Sequence, residues 1–106
     1  MGVASGLSRV GFKPYVYTMM NFILSRPNEQ VRNDIGYANA NVKLFAVKGS
    51  EAYKFLGMSH NLYGTEEEDY LRGIPNLHTY FPEEEADVTD SMEIEYNRSG
   101  PAYTRI

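Results

Sequence analysis

A chain of 106 residues has room for one small domain, and its 24 strong apolar residues (Val, Ile, Leu and Phe) give it a lean core. The absence of cysteine excludes disulfides, thiolate metal sites and cysteine nucleophiles. The net charge of −4 divides unevenly, with +4 on residues 1–50 and −8 on residues 51–106, and the scattered cations argue against strong nucleic-acid binding.

Residues 1–14 are rich in glycine and serine and close on Lys13-Pro14, which predicts an extended, non-helical docking arm. From Tyr15, the apolar Val16, Met19, Met20, Ile23 and Leu24 recur at steps of three and four, predicting a helix over residues 15–25. Ser25-Arg26-Pro27 supplies a cap and a first-turn proline for a second helix over 27–35 that stops near Gly36. Tyr37 to Asn41 reads as a turn, and Val42 to Val47 fits either a strand or a helix. A short amphipathic helix is expected over 50–56, with Gly57 as its terminator. Thr65-Glu66-Glu67-Glu68 has the form of a capping box for a helix over 66–72, closed by Gly73 and Pro75.

Beyond Pro75 the chain predicts an acidic extended tail, irregular or strand-like. Within it Met92, Ile94 and Tyr96 alternate with Glu93 and Glu95 until Pro101. The fold class expected is mostly α with extended segments: a docking arm at 1–14, a small helical region at 15–74 and the acidic tail at 75–106.

Motifs for chemistry fall short. Gly6-Leu7-Ser8-Arg9-Val10-Gly11 resembles a nucleophile elbow with its second glycine one residue late, and Phe12 spoils a phosphate loop ending at Lys13. His60 and His78 stand eighteen residues apart, and His78, near Tyr80 and the acids from Glu83, is the better ligand candidate. The run from Glu83 to Asp90 lacks the order of a calcium loop. No catalytic residue, metal or cofactor is therefore expected, and the chain is expected not to be an enzyme. Tyr15 to Leu24 is about half a membrane span and no signal-peptide layout follows it, so the expected location is intracellular, soluble or peripheral to a membrane.

One stretch resembles a known family. Ala4-Ser5-Gly6-Leu7-Ser8-Arg9-Val10-Gly11, followed by Lys13-Pro14-Tyr15-Val16-Tyr17, is similar to the N-terminal segment of phycobilisome core-membrane linkers and small core linkers. Glu29-Gln30 stands at a compatible distance, and Lys43-Leu44-Phe45 through Gly49 to Tyr53 loosely resembles the helical part that follows. The likeness covers about 30 residues, or about 50 with this last stretch, and departs in the acidic second half and in lacking cysteine for a bilin. It implies a structural linker of photosynthetic light-harvesting complexes, at the stromal or cytoplasmic face of the thylakoid. Its partners would be phycobiliproteins or a photosystem.

The expected function is thus a non-catalytic linker or accessory subunit held by protein–protein interaction within a larger complex. Arg9, Lys13, Pro14, Tyr15, Tyr17 and Phe22 are the candidates for a first contact, and Tyr80, Phe81, Glu83, Glu84 and Glu85 for a second. The alternative is a small autonomous α+β domain, a weak metal-dependent enzyme around His78, Glu83 and Glu85.

Overall fold

Four parallel strands hold the protein together: β1 (Tyr15–Met19), β2 (Lys43–Val47), β3 (His78–Tyr80) and β4 (Ala102–Arg105), ordered β1-β2-β4-β3 across the sheet. The structure is a computed structural model and describes residues 1–48 and 51–106. Around the sheet lie α1 (Gly2–Arg9), α2 (Met20–Leu24), α3 (Asn28–Gln30) running into a π-helical turn (Val31–Tyr37), α4 (Glu66–Arg72) and α5 (Glu85–Tyr96). A 3-10 segment spans Glu51–Ser59, broken at Gly57, where φ is 58°. The register aligns Tyr15, Lys43, Ala102 and His78 on one row and Val16, Leu44, Tyr103 and Thr79 on the next. The two rows face opposite sides of the sheet.

On the Leu44 and Tyr103 side sits the apolar core: Met20, Ile23 and Leu24 of α2, Val31 and Ile35 of the π-helical turn, Ala4 of α1 and Ile74. On the Lys43 side α5 closes the sheet with polar contacts. Thr104 donates to Glu95 Oε2 at 3.1 Å, and the Lys43 ammonium donates to the carbonyls of Arg98 (2.9 Å) and Gly100 (2.7 Å). The small domain therefore has one oily layer and one hydrogen-bonded layer, which is how it folds with so few strong apolar residues.

This is an α/β domain, and the expectation of a mostly α chain with extended ends is corrected in four places. Residues 2–9 of the expected arm are helical, because Ala4 and Ser5 are small enough to bury against the π-helical turn, where Ser5 Oγ donates to the Asp34 carbonyl at 3.1 Å. The expected 15–25 helix is a strand followed by a helix. Aromatic and β-branched residues from Tyr15 to Thr18 favour strand, and Met19 (φ −64°, ψ 145°) makes the change. The continuous apolar run therefore belongs to an edge strand and the helix after it, not to an all-round apolar helix: Val16 is half-buried against the core while Tyr15 and Tyr17 stay exposed.

The strand expected at 91–96 is the last half of α5, which buries Ser91 and Glu95, four residues apart, and turns Met92, Ile94 and Tyr96 outward. The acidic tail accordingly is no tail: Pro101, expected to end it, leads directly into β4, which lies between β2 and β3. Val42 to Val47 resolves as strand. A helix does occupy 66–72, but Thr65 does not cap it, its hydroxyl donating instead to Asp69 Oδ2 at 3.0 Å. The expected 50–56 helix begins outside the described residues, and Gly57 does sit in the left-handed region.

Gly36 has no room for a side chain. A Cβ there would lie 2.7 Å from Ile74 Cγ2 and 2.7 Å from the Pro75 carbonyl oxygen, and its own carbonyl accepts from Asn76 Nδ2 at 3.0 Å. Backbone cannot retreat as a side-chain tip can, so Gly36→Ala is expected to destabilise by about 1–3 kcal/mol, read as a lower urea midpoint at unchanged slope.

Candidate functional site

In a parallel sheet every strand delivers its carboxyl end to the same edge, and ligands favour the crevice outside that edge. Here β1 passes straight into α2 at Met19–Met20, and the segment leaving β2 returns through Glu51–Ser59 to lie against α2. The two are tied together where Asn21 Nδ2 donates to the Ser59 carbonyl at 3.0 Å. Two adjoining stripes of α2 and the turn that follows it carry the site.

The first stripe, Asn21 and Ser25, walls a cleft of about 480 Å³ between α2 and α4, completed by Met58, Leu62, Glu66, Asp69 and Tyr70. Within it Ser25 Oγ and the Tyr70 hydroxyl share a 3.1 Å hydrogen bond. The cleft thus combines apolar walls with two hydroxyls and an acidic rim, the mixture expected of a small-molecule site.

The second stripe is Phe22 and Arg26. The Arg26 guanidinium sits over the Phe22 ring, 4.7 Å from its centroid. The His60 imidazole meets the same ring edge to face at 5.1 Å and 71°. His60 is held in turn by a 2.7 Å bond between its Nδ1 and Ser59 Oγ. Asn61, buried next to it, donates to the carbonyls of Tyr53 and Gly57, both at 2.9 Å, and so braces the loop that carries the imidazole.

The residues singled out from the sequence are dispersed by the fold. Lys13, Pro14 and Tyr15 gather at the amino end of β1. There Lys13 Nζ donates to the Tyr96 carbonyl (2.9 Å) and lies 4.1 Å from that ring's centroid, the Pro14 carbonyl accepts from Lys43 N, and Tyr15 packs on Phe45. Arg9 ends α1, and Tyr17 is 68% exposed. Phe22 belongs to the opposite end of the strand. In the second set, Tyr80 ends β3, Phe81 packs on Tyr103 and under Arg105, and Glu83, Glu84 and Glu85 lie exposed around the start of α5.

The metal-dependent alternative finds no site. Among the described residues no three His, Asp or Glu side chains gather to hold an ion. His78 Nε2 faces the Arg98 guanidinium, and its pKa is lowered by burial and by that cation. Asn21, Ser59 and Tyr70 are not among the candidates read from the sequence, Ser25 enters there only as a helix cap, and His60 only as the weaker of two ligand candidates.

Comparison with known proteins identifies the fold. The family model for the transketolase pyrimidine binding domain matches residues 1–106. An apulose-4-phosphate transketolase subunit from Actinobacillus succinogenes is 30% identical over 106 residues, covering all of this chain and 33% of that protein. The 1-deoxy-D-xylulose-5-phosphate synthase of Idiomarina loihiensis is 33% identical over 102 residues, 96% of this chain and 16% of the synthase. A solved structure described as a split gene transketolase, inactive beta4 tetramer, superposes with a TM-score of 0.82 at 33% identity, over 99% of this chain and 32% of that one.

The chain spans about a third of the length of the transketolase subunits it matches. A match along the whole chain overturns the phycobilisome resemblance, with its photosynthetic and thylakoid setting. Of the small residues that carried that likeness, Ala4 and Ser5 are buried packing residues of α1, and Gly6 is on its exposed side. The named relatives are enzymes, against the expectation of a non-catalytic linker, and the small-domain alternative is the better fit to the fold. No helix among the described residues is long and apolar enough to cross a membrane.

Proposed function

This chain belongs to the transketolase pyrimidine binding domain family, and on that premise we propose that it supplies the pyrimidine-binding part of a transketolase-type enzyme acting on sugar phosphates. Transfer of a ketol unit requires a stabilised carbanion, and thiamine diphosphate is the carbanion-stabilising cofactor that carries an isolated pyrimidine ring. The observation that supports this most directly is the Phe22–His60–Arg26 cluster at the carboxyl end of β1, beside the 480 Å³ cleft.

The residues present fit such a group. Phe22 offers an aromatic surface for a flat heterocycle, and His60 and the Ser25 and Tyr70 hydroxyls offer polar partners for ring nitrogens and an amino group. Asn21 and Asn61 keep the α2 and Ser59–His60 walls at fixed spacing, so little ordering is left for binding. Met58 and Leu62 give the cleft its apolar lining.

Because the chain spans about a third of its relatives, the remaining machinery would come from outside these residues, and a second protein subunit is the proposed partner. Its contact surface is proposed at Arg9, Lys13, Pro14, Tyr15 and Tyr17, where Phe12 and Tyr17 stand exposed together with the outer edge of β1.

Phe22→Ala tests the site. Stacking on an aromatic side chain is worth about 1–3 kcal/mol, so thiamine diphosphate affinity in the assembled enzyme is expected to fall roughly 5- to 150-fold, by calorimetric titration. Tyr37→Ala, at an exposed position that lines neither the cleft nor the Phe22 cluster, is expected to leave affinity unchanged. Equal affinity in Phe22→Ala and the parent would remove Phe22 from the site.

A further inference from the structure

We propose that Ser59 is a positioning residue that fixes the tautomer of His60, so that the imidazole meets its ligand with a bare Nε2. The Ser59 hydroxyl oxygen lies 2.7 Å from the Leu56 carbonyl oxygen and 2.7 Å from His60 Nδ1. A hydroxyl has one hydrogen, and a carbonyl oxygen can only accept. The serine hydrogen therefore goes to Leu56, and its lone pair faces Nδ1, which must carry the hydrogen of the second bond. The reverse assignment would leave two oxygens 2.7 Å apart with no hydrogen between them.

A neutral imidazole has one N–H, so with Nδ1 protonated Nε2 keeps its lone pair. No described residue bonds Nε2. The ring cannot readily swing to change this, being set against Phe22 at 5.1 Å on a loop fixed by Asn21 and Asn61. Such a nitrogen accepts: it takes a hydrogen bond, or a proton, from a ligand O–H or N–H. A sugar hydroxyl or a heteroaromatic amino group has that chemistry, whereas a bare phosphate or carboxylate oxygen does not. Naming the ligand class rests on the proposed function; the tautomer does not.

The two can be tested apart. In ¹⁵N-labelled full chain at about pH 8.5, where an ordinary imidazole is neutral, two-bond couplings from the ring protons report which nitrogen carries hydrogen. The parent and Ser59→Thr, which keeps a hydroxyl, are expected to show His60 as the Nδ1–H form. Ser59→Ala, leaving Nδ1 without its acceptor, is expected to shift the population toward Nε2–H. An Nε2–H parent, or a Ser59→Ala ring that does not change, overturns the proposal.

The second arm measures ketol transfer in the assembled enzyme. There Ser59→Ala is expected to lower kcat/KM roughly tenfold or more, within what a placed proton acceptor contributes, and Ser59→Thr to restore it. A tautomer that shifts while kcat/KM stays level would uphold the role of Ser59 on the ring and overturn the placing of the ligand at His60.

Discussion

Tyr103→Ala is expected to destabilise the domain by about 3–5 kcal/mol, much of the roughly 5–15 kcal/mol that holds a small domain folded. Tyr103 lies on β4 between β2 and β3, fully buried, with its ring tilted against Phe81 at 6.5 Å. Truncation would open a cavity beneath strands that are pinned on both sides and cannot close over it. Tyr103→Phe is expected to have the opposite sign. The Tyr103 hydroxyl is buried with no hydrogen-bond partner among the described residues, and burial drives its ionisation far above the ordinary tyrosine range, so it is a neutral phenol that has given up water for nothing. Removing it relieves desolvation without disturbing the ring, and a gain of up to about 1 kcal/mol is expected. Urea unfolding of the three proteins checks both, and a Phe variant weaker than the parent would show that the hydroxyl contributes a bond.

The position of Tyr103 also shows why the fold is only partly legible in the sequence. Helices with end signals of their own can be read, as at 66–72, where Gly73 and the acidic first turn bound the segment. β4 escapes such a reading because four residues after a proline carry no periodicity of their own; only the sheet around them makes Ala102–Arg105 a strand. α5 misleads because the residues it buries are polar. Alternation of Met92, Ile94 and Tyr96 suggests a strand whose apolar side is inside, yet all three face water and the buried positions are Ser91 and Glu95.

The candidate site is legible chiefly in Phe22, with His60 visible only as the weaker of two imidazole candidates. Phe22 stands out for its place in an apolar stretch, and it does belong to the site, whereas Lys13, Pro14 and Tyr15 belong to the far end of the same strand. Asn21, Ser25, Ser59, His60 and Tyr70 come from three segments that only the parallel crossovers bring together, and no local spacing encodes a crossover.

Glu95, the residue that alternation placed on a solvent face, is expected to make the stability of the domain depend on pH. It is fully buried: Oε2 accepts from Thr104 at 3.1 Å, and Oε1 has no partner among the described residues. Burial raises its pKa from 4.5 to about 7, opposed by the Thr104 bond and by the Lys43 ammonium. Facing it across the sheet are Lys43 of β2, whose own pKa burial lowers, and Tyr15 of β1, whose pKa is raised by burial and then by Glu95.

The folded state therefore holds an extra proton between about pH 4.5 and pH 7, and the stability this gives is full below that window and lost as pH rises through it. A shift of that size is worth roughly 3 kcal/mol. Glu95→Gln keeps an acceptor for Thr104 and is neutral at every pH. Its stability relative to the parent is thus expected to climb by roughly 3 kcal/mol from pH 4.5 to pH 8, while the other carboxylates, Glu67 with its 3.0 Å pair to Arg105 among them, cancel in the difference. Urea midpoints of parent and variant at half-unit pH steps give the curve directly. A difference that stays level across the window would mean that Glu95 is ionised when folded, with Lys43 as its full counter-charge in the hydrogen-bonded layer.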